Sequence, residues 1–176
     1  MSLRHGLLGL LASGPASGYD LIKLFDTALA NVWNATQSQI YTELNKLAAD
    51  ELIALTDEGP RGRKQYSITP EGQAELRHWL TETAPQEVHR SEVLLRVFFL
   101  GSVSPPQAHG YLRSLVDRYT GQEAALREWE RAIEWDDSDL SVYGRLVMEF
   151  GLRLATMARE WAEWADDQLG RPASGD

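Results

Sequence analysis

Apolar residues return every three or four positions along most of this chain, the spacing of helices that bury one face. The first such run is LRHGLLGLLA, residues 3 to 12, stopped by Gly14-Pro15. Ser17 with Asp20 three positions later is a capping signature, and it opens a second helix through LIKLFDTAL. Thr36 with Gln39 repeats the device and opens a third. On that helix, at about 100° per residue, Ile40, Leu44 and Leu47 share one narrow sector, while Ser38, Tyr41, Thr42, Asn45 and Ala49 lie opposite. The period then shortens. LIALT (52 to 56) and KQYSIT (64 to 69) have strand character, and DEGPRGR joins them as a hairpin with a cationic tip. Thr69-Pro70-Glu71 caps a fourth helix through Leu80, with Pro in the first turn and an acid at the positive end of the dipole.

After a linker at Ala84-Pro85-Gln86 the pattern becomes wholly helical. VLLRVFFL (93 to 100) is apolar nearly all round, which predicts burial on most sides. From Ser104-Pro105-Pro106-Gln107 onward, Ala108, Leu112, Leu115, Tyr119, Gln122, Leu126, Trp129 and Ile133 recur at steps of four and three. Leu140, Tyr143, Val147, Phe150, Leu154, Met157, Trp161 and Trp164 do the same on a last helix about 45 Å long. A 3-4 repeat of this length describes long helices packed at shallow angles. Two such helices cannot hide so wide an apolar stripe, so a second chain is expected to cover part of it.

The outward side of the third helix changes this picture. It carries small hydrogen-bonding side chains and one aromatic hydroxyl where Lys and Glu usually sit, so it can sink into a groove; an ordinary exposed helix is the plainer reading. Net charge is −9, which taken alone argues against a nucleic-acid partner. Its distribution matters more. Up to Thr83 there are seven Lys and Arg against ten Asp and Glu, giving −3, and beyond it ten against sixteen, giving −6. Three of the seven crowd into RGRK at 61 to 64, whose bland reading is a basic loop tip kept soluble by charge.

With 176 residues, 43% of them hydrophobic, the chain is one ordinary domain or two small ones with a buried core. The absence of cysteine excludes disulfides, thiolate metal sites and Cys nucleophiles, and suits a reducing, cytoplasmic setting. GLLGLLA is too short for a signal peptide, and nothing later approaches 18 continuous apolar residues, so no membrane partner is expected. His5, His78, His89 and His109 show no metal-ligand spacing. No nucleophile elbow, phosphate loop or paired-carboxylate signature is present either, so neither an enzyme nor a cofactor is implied.

Helix, helix, helix, hairpin, helix is the order of a winged helix-turn-helix, in which the third helix enters the major groove and the hairpin reaches the neighbouring backbone. In that frame Arg61, Arg63 and Lys64 sit at phosphate level, and Arg63 equally suits a minor groove. Gln37 and Asn45 are amides able to make paired bonds to adenine, whereas Ser38 and Tyr41 suit phosphate. Tyr19, beside the free N–H groups of the second helix, is a further phosphate contact. A winged helix kept only for protein contacts is the rival reading, favoured by the net acidity.

GLLGLLASGPASGYDLIKLF resembles the opening of the PadR family of transcriptional regulators. SQIY-x-EL-x-KL in the third helix, GRK-x-YSIT in the second strand and EG at the fourth helix look like its longer subfamily, although Thr42 stands where many relatives carry Pro. EVLLRVFFLG followed by two long helices resembles that subfamily's virulence-activator-like C-terminal region. The resemblance implies a mainly α fold with a small β-hairpin: a winged helix-turn-helix DNA-binding domain over 1–84 and a long-helix dimerisation and effector domain over 85–176. It also implies a homodimeric repressor on an inverted-repeat operator of double-stranded DNA, its half-sites about 34 Å apart, released by a small molecule. Tyr41 and the basic residues of the wing match positions the family sets against DNA. Trp129, Phe150, Trp161 and Trp164 are the expected walls for a small aromatic or apolar effector, or else plain core.

Overall fold

The computed structural model describes residues 2–29, 33, 35–59, 63–85 and 91–169, and of residues 2, 28, 56–59 and 63 the backbone alone. The chain divides into two compact units, Met1–Glu87 and Val88–Asp176.

The first unit contains α1 (Ser2–Ala12), β1 (Ala16–Ser17), α2 (Gly18–Ala28), α3 (Gln37–Ala49), β2 (Ile53–Gly59), β3 (Arg63–Ile68) and α4 (Pro70–Thr81). Three caps start the helices where the sequence places them. Ser17 Oγ accepts from Asp20 N at 3.2 Å, and Thr36 Oγ1 accepts from Gln39 N at 3.3 Å while Thr36 N donates to Gln39 Oε1 at 2.8 Å. Thr69 Oγ1 accepts from Gly72 N at 3.0 Å and donates to the Glu51 carbonyl at 2.9 Å. The third cap therefore ties α4 to the α3–β2 turn, where Glu51 takes a left-handed φ of 58°. Gly72 fits under that turn because a Cβ would stand 2.1 Å from the Leu52 carbonyl oxygen.

The sheet has three strands, in the order β1-β3-β2, all antiparallel. The expected hairpin is present as β2 and β3, with Ile53 opposite Ile68 and Gly59 opposite Arg63. The two residues of β1 add a third strand that the pattern does not announce. Beneath the sheet, Leu7, Leu8 and Leu11 of α1, Leu21 and Phe25 of α2, and Ile40, Leu44 and Leu47 of α3 form one fully buried core. His5 lies within this unit, 5% exposed, stacked on Trp79 with ring centroids 4.6 Å apart and bonded to the Glu75 carboxylate at 3.0 Å.

The second unit contains α5 (Glu92–Phe98), a 3-10 turn (Leu100–Ser102), α6 (Pro105–Ala132) and α7 (Asp139–Leu169). Helices α6 and α7 run antiparallel: His109 meets Asp166 at one end, and the Trp135 ring, just beyond α6, sits over Gly144 near the other. The face of α7 toward α6 combines small residues with Leu152 and Trp161. Ala162 packs with Leu112 and Leu115, Ala155 and Leu152 pack with Leu126, and a Cβ on Gly151 would meet the Leu126 side chain at 3.6 Å. His109 first, then Arg113, holds the Asp166 carboxyl below its ordinary range. Arg127 chiefly, with Arg159 and Thr156 alongside, does the same for Glu123.

Two expectations for this unit change. The VLLRVFFL segment is not buried on most sides: Leu94, Leu95, Phe98 and Phe99 of this region are all exposed, Phe98 by 82%. The 3-4 stripe of α7 also turns outward, with Leu140, Tyr143, Val147, Phe150, Leu154, Met157 and Trp164 exposed. The α7 positions that meet α6 include Leu152, Ala155, Trp161 and Ala162, and most of the other large apolar residues of α7 fall outside that face.

Candidate nucleic-acid interface

Ile40, Leu44 and Leu47 anchor α3 in the core, so its opposite side must face outward, and there Gln37, Ser38, Tyr41 and Asn45 are all exposed. The helix carries Lys46 in its last turn, ion-paired with Glu43 at 3.4 Å, and no acid in its first turn. The four exposed residues therefore form a patch of amides and hydroxyls, one helical turn apart along the axis, suited to hydrogen-bonding a polar groove. Tyr41 is not a free side chain on this patch. Its ring lies against the first residue of α2, where a Cβ on Gly18 would stand 2.7 Å from Cε1. Tyr19, the next residue of α2, is 61% exposed.

On the wing, Lys64 is an exposed residue of β3, opposite Glu58 in register. Arg63 opens β3, with its side chain outside the described atoms, and Arg61 lies outside the described residues altogether. The structure thus brings Gln37, Ser38, Tyr41 and Asn45 together on one face and adds Gly18 to them. Sequence reasoning missed Gly18. Its only trace in the letters is a Gly-Tyr pair where a helix begins.

Residues 7–78 match the model of the PadR-like family of transcriptional regulators, and residues 89–170 match the virulence activator alpha C-terminal family. The negative transcriptional regulator PadR of Bacillus subtilis is 32% identical over 136 residues, which span 75% of this chain and 73% of that protein. The chain belongs to the PadR-like family of transcriptional regulators. This is a family of regulators and not of enzymes.

Solved structures of Bacillus subtilis PadR agree. Its complex with operator DNA matches with a TM-score of 0.82 and 29% identity, covering 96% of this chain and 99% of the other. Its complex with p-coumaric acid matches at 0.85 and 27%, covering 97% and 100%. The mainly helical, winged-helix reading of the sequence therefore holds, with its hairpin enlarged by β1.

The aromatic residues of the C-terminal unit are more scattered than their spacing suggests. Trp129 and Trp161 are half-buried, Trp161 against the Leu112–Leu115–Ala162 cluster, whereas Phe150 and Trp164 are exposed. Phe150 and Trp161 are separated by about 17 Å along α7, so one small molecule does not touch all four residues within a single chain. A groove of about 470 Å³ lies instead around α5 and the start of α6, walled by Leu95, Phe99, Val103, Gln107 and Tyr111 among others. The signal for it was the all-round apolarity of VLLRVFFL, more apolar surface than one chain covers. Among the described residues no group of His, Asp and Glu has the geometry to hold a metal ion, and no helix is long and apolar enough to cross a membrane.

Proposed function

We propose that this chain is a cytoplasmic, homodimeric repressor that lays the polar face of α3 in the major groove of double-stranded DNA. Each copy reads one half of an inverted repeat. Gln37 and Asn45 address base edges, Ser38, Tyr41 and Tyr19 address phosphates, and Arg61, Arg63 and Lys64 of the wing hold the adjacent backbone. The observation that carries this reading is the uncharged, exposed face of α3 on a frame that matches the operator-bound relative over nearly its whole length. The net charge of −9 does not oppose it, because most of the excess acid lies beyond the winged helix. Two copies join through the exposed apolar residues of α7 and of the α5 region, surface of a kind that single chains seldom leave uncovered.

The test is selection of duplexes from a randomised pool by the full-length protein, followed by titration of the winner. A palindromic site with half-sites about one helical turn of DNA apart is expected; a pool that never enriches sinks the reading.

The same proposal includes release by a small aromatic or apolar effector. It is supported by the apolar groove around α5 and the start of α6, which none of Trp129, Phe150, Trp161 and Trp164 lines, and by a relative solved with p-coumaric acid. Quenching of Trp fluorescence by a panel of aromatic acids tests it, and no binder tighter than millimolar would count against it.

A further inference from the structure

The residue that decides where Tyr41 sits is not on α3. The Tyr41 ring crosses the first residue of α2, where a Cβ built on Gly18 would stand 2.7 Å from ring Cε1 and 3.4 Å from Cζ and from the hydroxyl oxygen. Carbon atoms attract at about 3.5 to 4.0 Å and repel steeply inside that distance. Any side chain larger than hydrogen at position 18 therefore forces the ring to shift from its place.

Nothing else at this position asks for glycine. Gly14 is the one described glycine with a left-handed φ, so the backbone at Gly18 is open to any residue. The α2 cap is made by Ser17 and Asp20, without help from residue 18. Alanine is moreover a better helix former than glycine.

We infer that Gly18 is a positioning residue for DNA recognition: it forms the socket that seats the Tyr41 ring against α2 and presents its hydroxyl in one place. This rests on the reading that α3 binds DNA. Tyr41 is 40% exposed, so the socket holds one side of the ring and leaves the other to a ligand. A ring released from the socket would have to be ordered again each time DNA binds. The entropy of ordering one such side chain corresponds to about a three- to tenfold loss of affinity.

The experiment uses the full-length protein, the tightest duplex recovered from the randomised pool, and the variants Gly18→Ala, Tyr41→Ala and both together. Gly18→Ala is expected to keep the parent's melting temperature, to shift the Tyr41 ring resonances in spectra of protein labelled with carbon-13 at tyrosine, and to lose three- to tenfold in affinity. In the Tyr41→Ala background it should cost nothing further. Equal losses in both backgrounds would mean that residue 18 acts through α2 itself, and the inference would fail. Unmoved ring resonances would overturn it too. Should Gly18→Ala unfold the winged helix, the double variant, lacking the ring, must restore folding; if it does not, the socket is refuted. A parent that binds no duplex ends the DNA reading and the role in recognition together, whereas the resonances still report separately whether the socket exists.

Discussion

The two units differ in how completely they bury their large apolar residues. In the winged helix the large ones point inward: Leu7, Leu8, Leu21, Phe25, Ile40, Leu44 and Leu47 are at most 1% exposed, and the outer face of α3 is left polar. In the helical unit Leu112, Leu115, Leu126 and Leu152 are buried beside Ala108, Ala155 and Ala162, but most of the largest apolar side chains point outward. Ala155, Ala162 and Gly151 line the α6–α7 seam, while Phe98, Phe150 and Trp164 are more than half exposed. The first unit has a fully buried core and a polar outer face on α3; the second leaves large apolar side chains exposed on α5 and α7. In the function proposed above, dimerisation falls to one unit and groove-reading to the other, and the contrast can be tested at each.

The largest effect should come from Leu44→Ala. Removing a fully buried leucine from the winged helix is expected to cost about 2–5 kcal/mol, seen as a lower urea midpoint and lost DNA binding with the dimer intact in sedimentation. If that variant becomes monomeric, the division of labour between the units is wrong. Phe150→Asp attacks the other side. Placing a charge on the exposed apolar face of α7 should weaken the dimer by about 2 kcal/mol or more, roughly thirtyfold. DNA affinity should fall with it, since each copy then binds without its tethered neighbour. A dimer of undiminished strength would show that this face is not the interface.

How much of this was legible depends on the range of the forces involved. The caps at Ser17, Thr36 and Thr69 and the buried sector Ile40–Leu44–Leu47 are local, and each stands where the letters place it. β1 was not legible, because Ala16 and Ser17 become a strand only through pairing with Tyr66 and Gln65 far along the chain. Gly18 was invisible for the same reason: its neighbour Tyr41 is on another helix. The α7 stripe was found but not its direction. Periodicity marks the large apolar residues as a set, whereas the positions that meet α6, Leu152, Ala155 and Ala162 among them, are fixed by the fit between two helices. The candidate site was legible on α3 and weakest on the wing, where Arg61 lies outside the described residues.

A smaller effect sharpens the polar side of the contrast. Lys64 is an exposed cation of β3. If it meets a phosphate, Lys64→Ala should weaken binding to every sequence alike and lower the slope of log affinity against log salt by about two per dimer, one per copy. A loss confined to one base position, with an unchanged slope, would mean that Lys64 reads a base edge instead.

The smallest effect belongs to the turn that joins α6 to α7. Asp136 accepts there from the Ser138 hydroxyl and from Ser138 N at 3.1 Å, and these bonds, with that to Ser141, lower its carboxyl from 3.8 to about 2. The folded value lies below the unfolded one, so the native state favours the ionised form. Its contribution is full above the unfolded value and is lost as pH falls from about 4 toward about 2. Asp136→Asn should therefore be slightly less stable than the parent at neutral pH, and the two urea midpoints should converge as pH drops through that window. The gap must be modest, because the turn is open to solvent and the bonds compete with water. Arg145 also holds the turn, donating to the Asp136 carbonyl at 3.2 Å with its guanidinium over the Trp135 ring. A gap that persists undiminished at pH 2 would place the effect of the substitution in packing of the turn and not in the charge of Asp136.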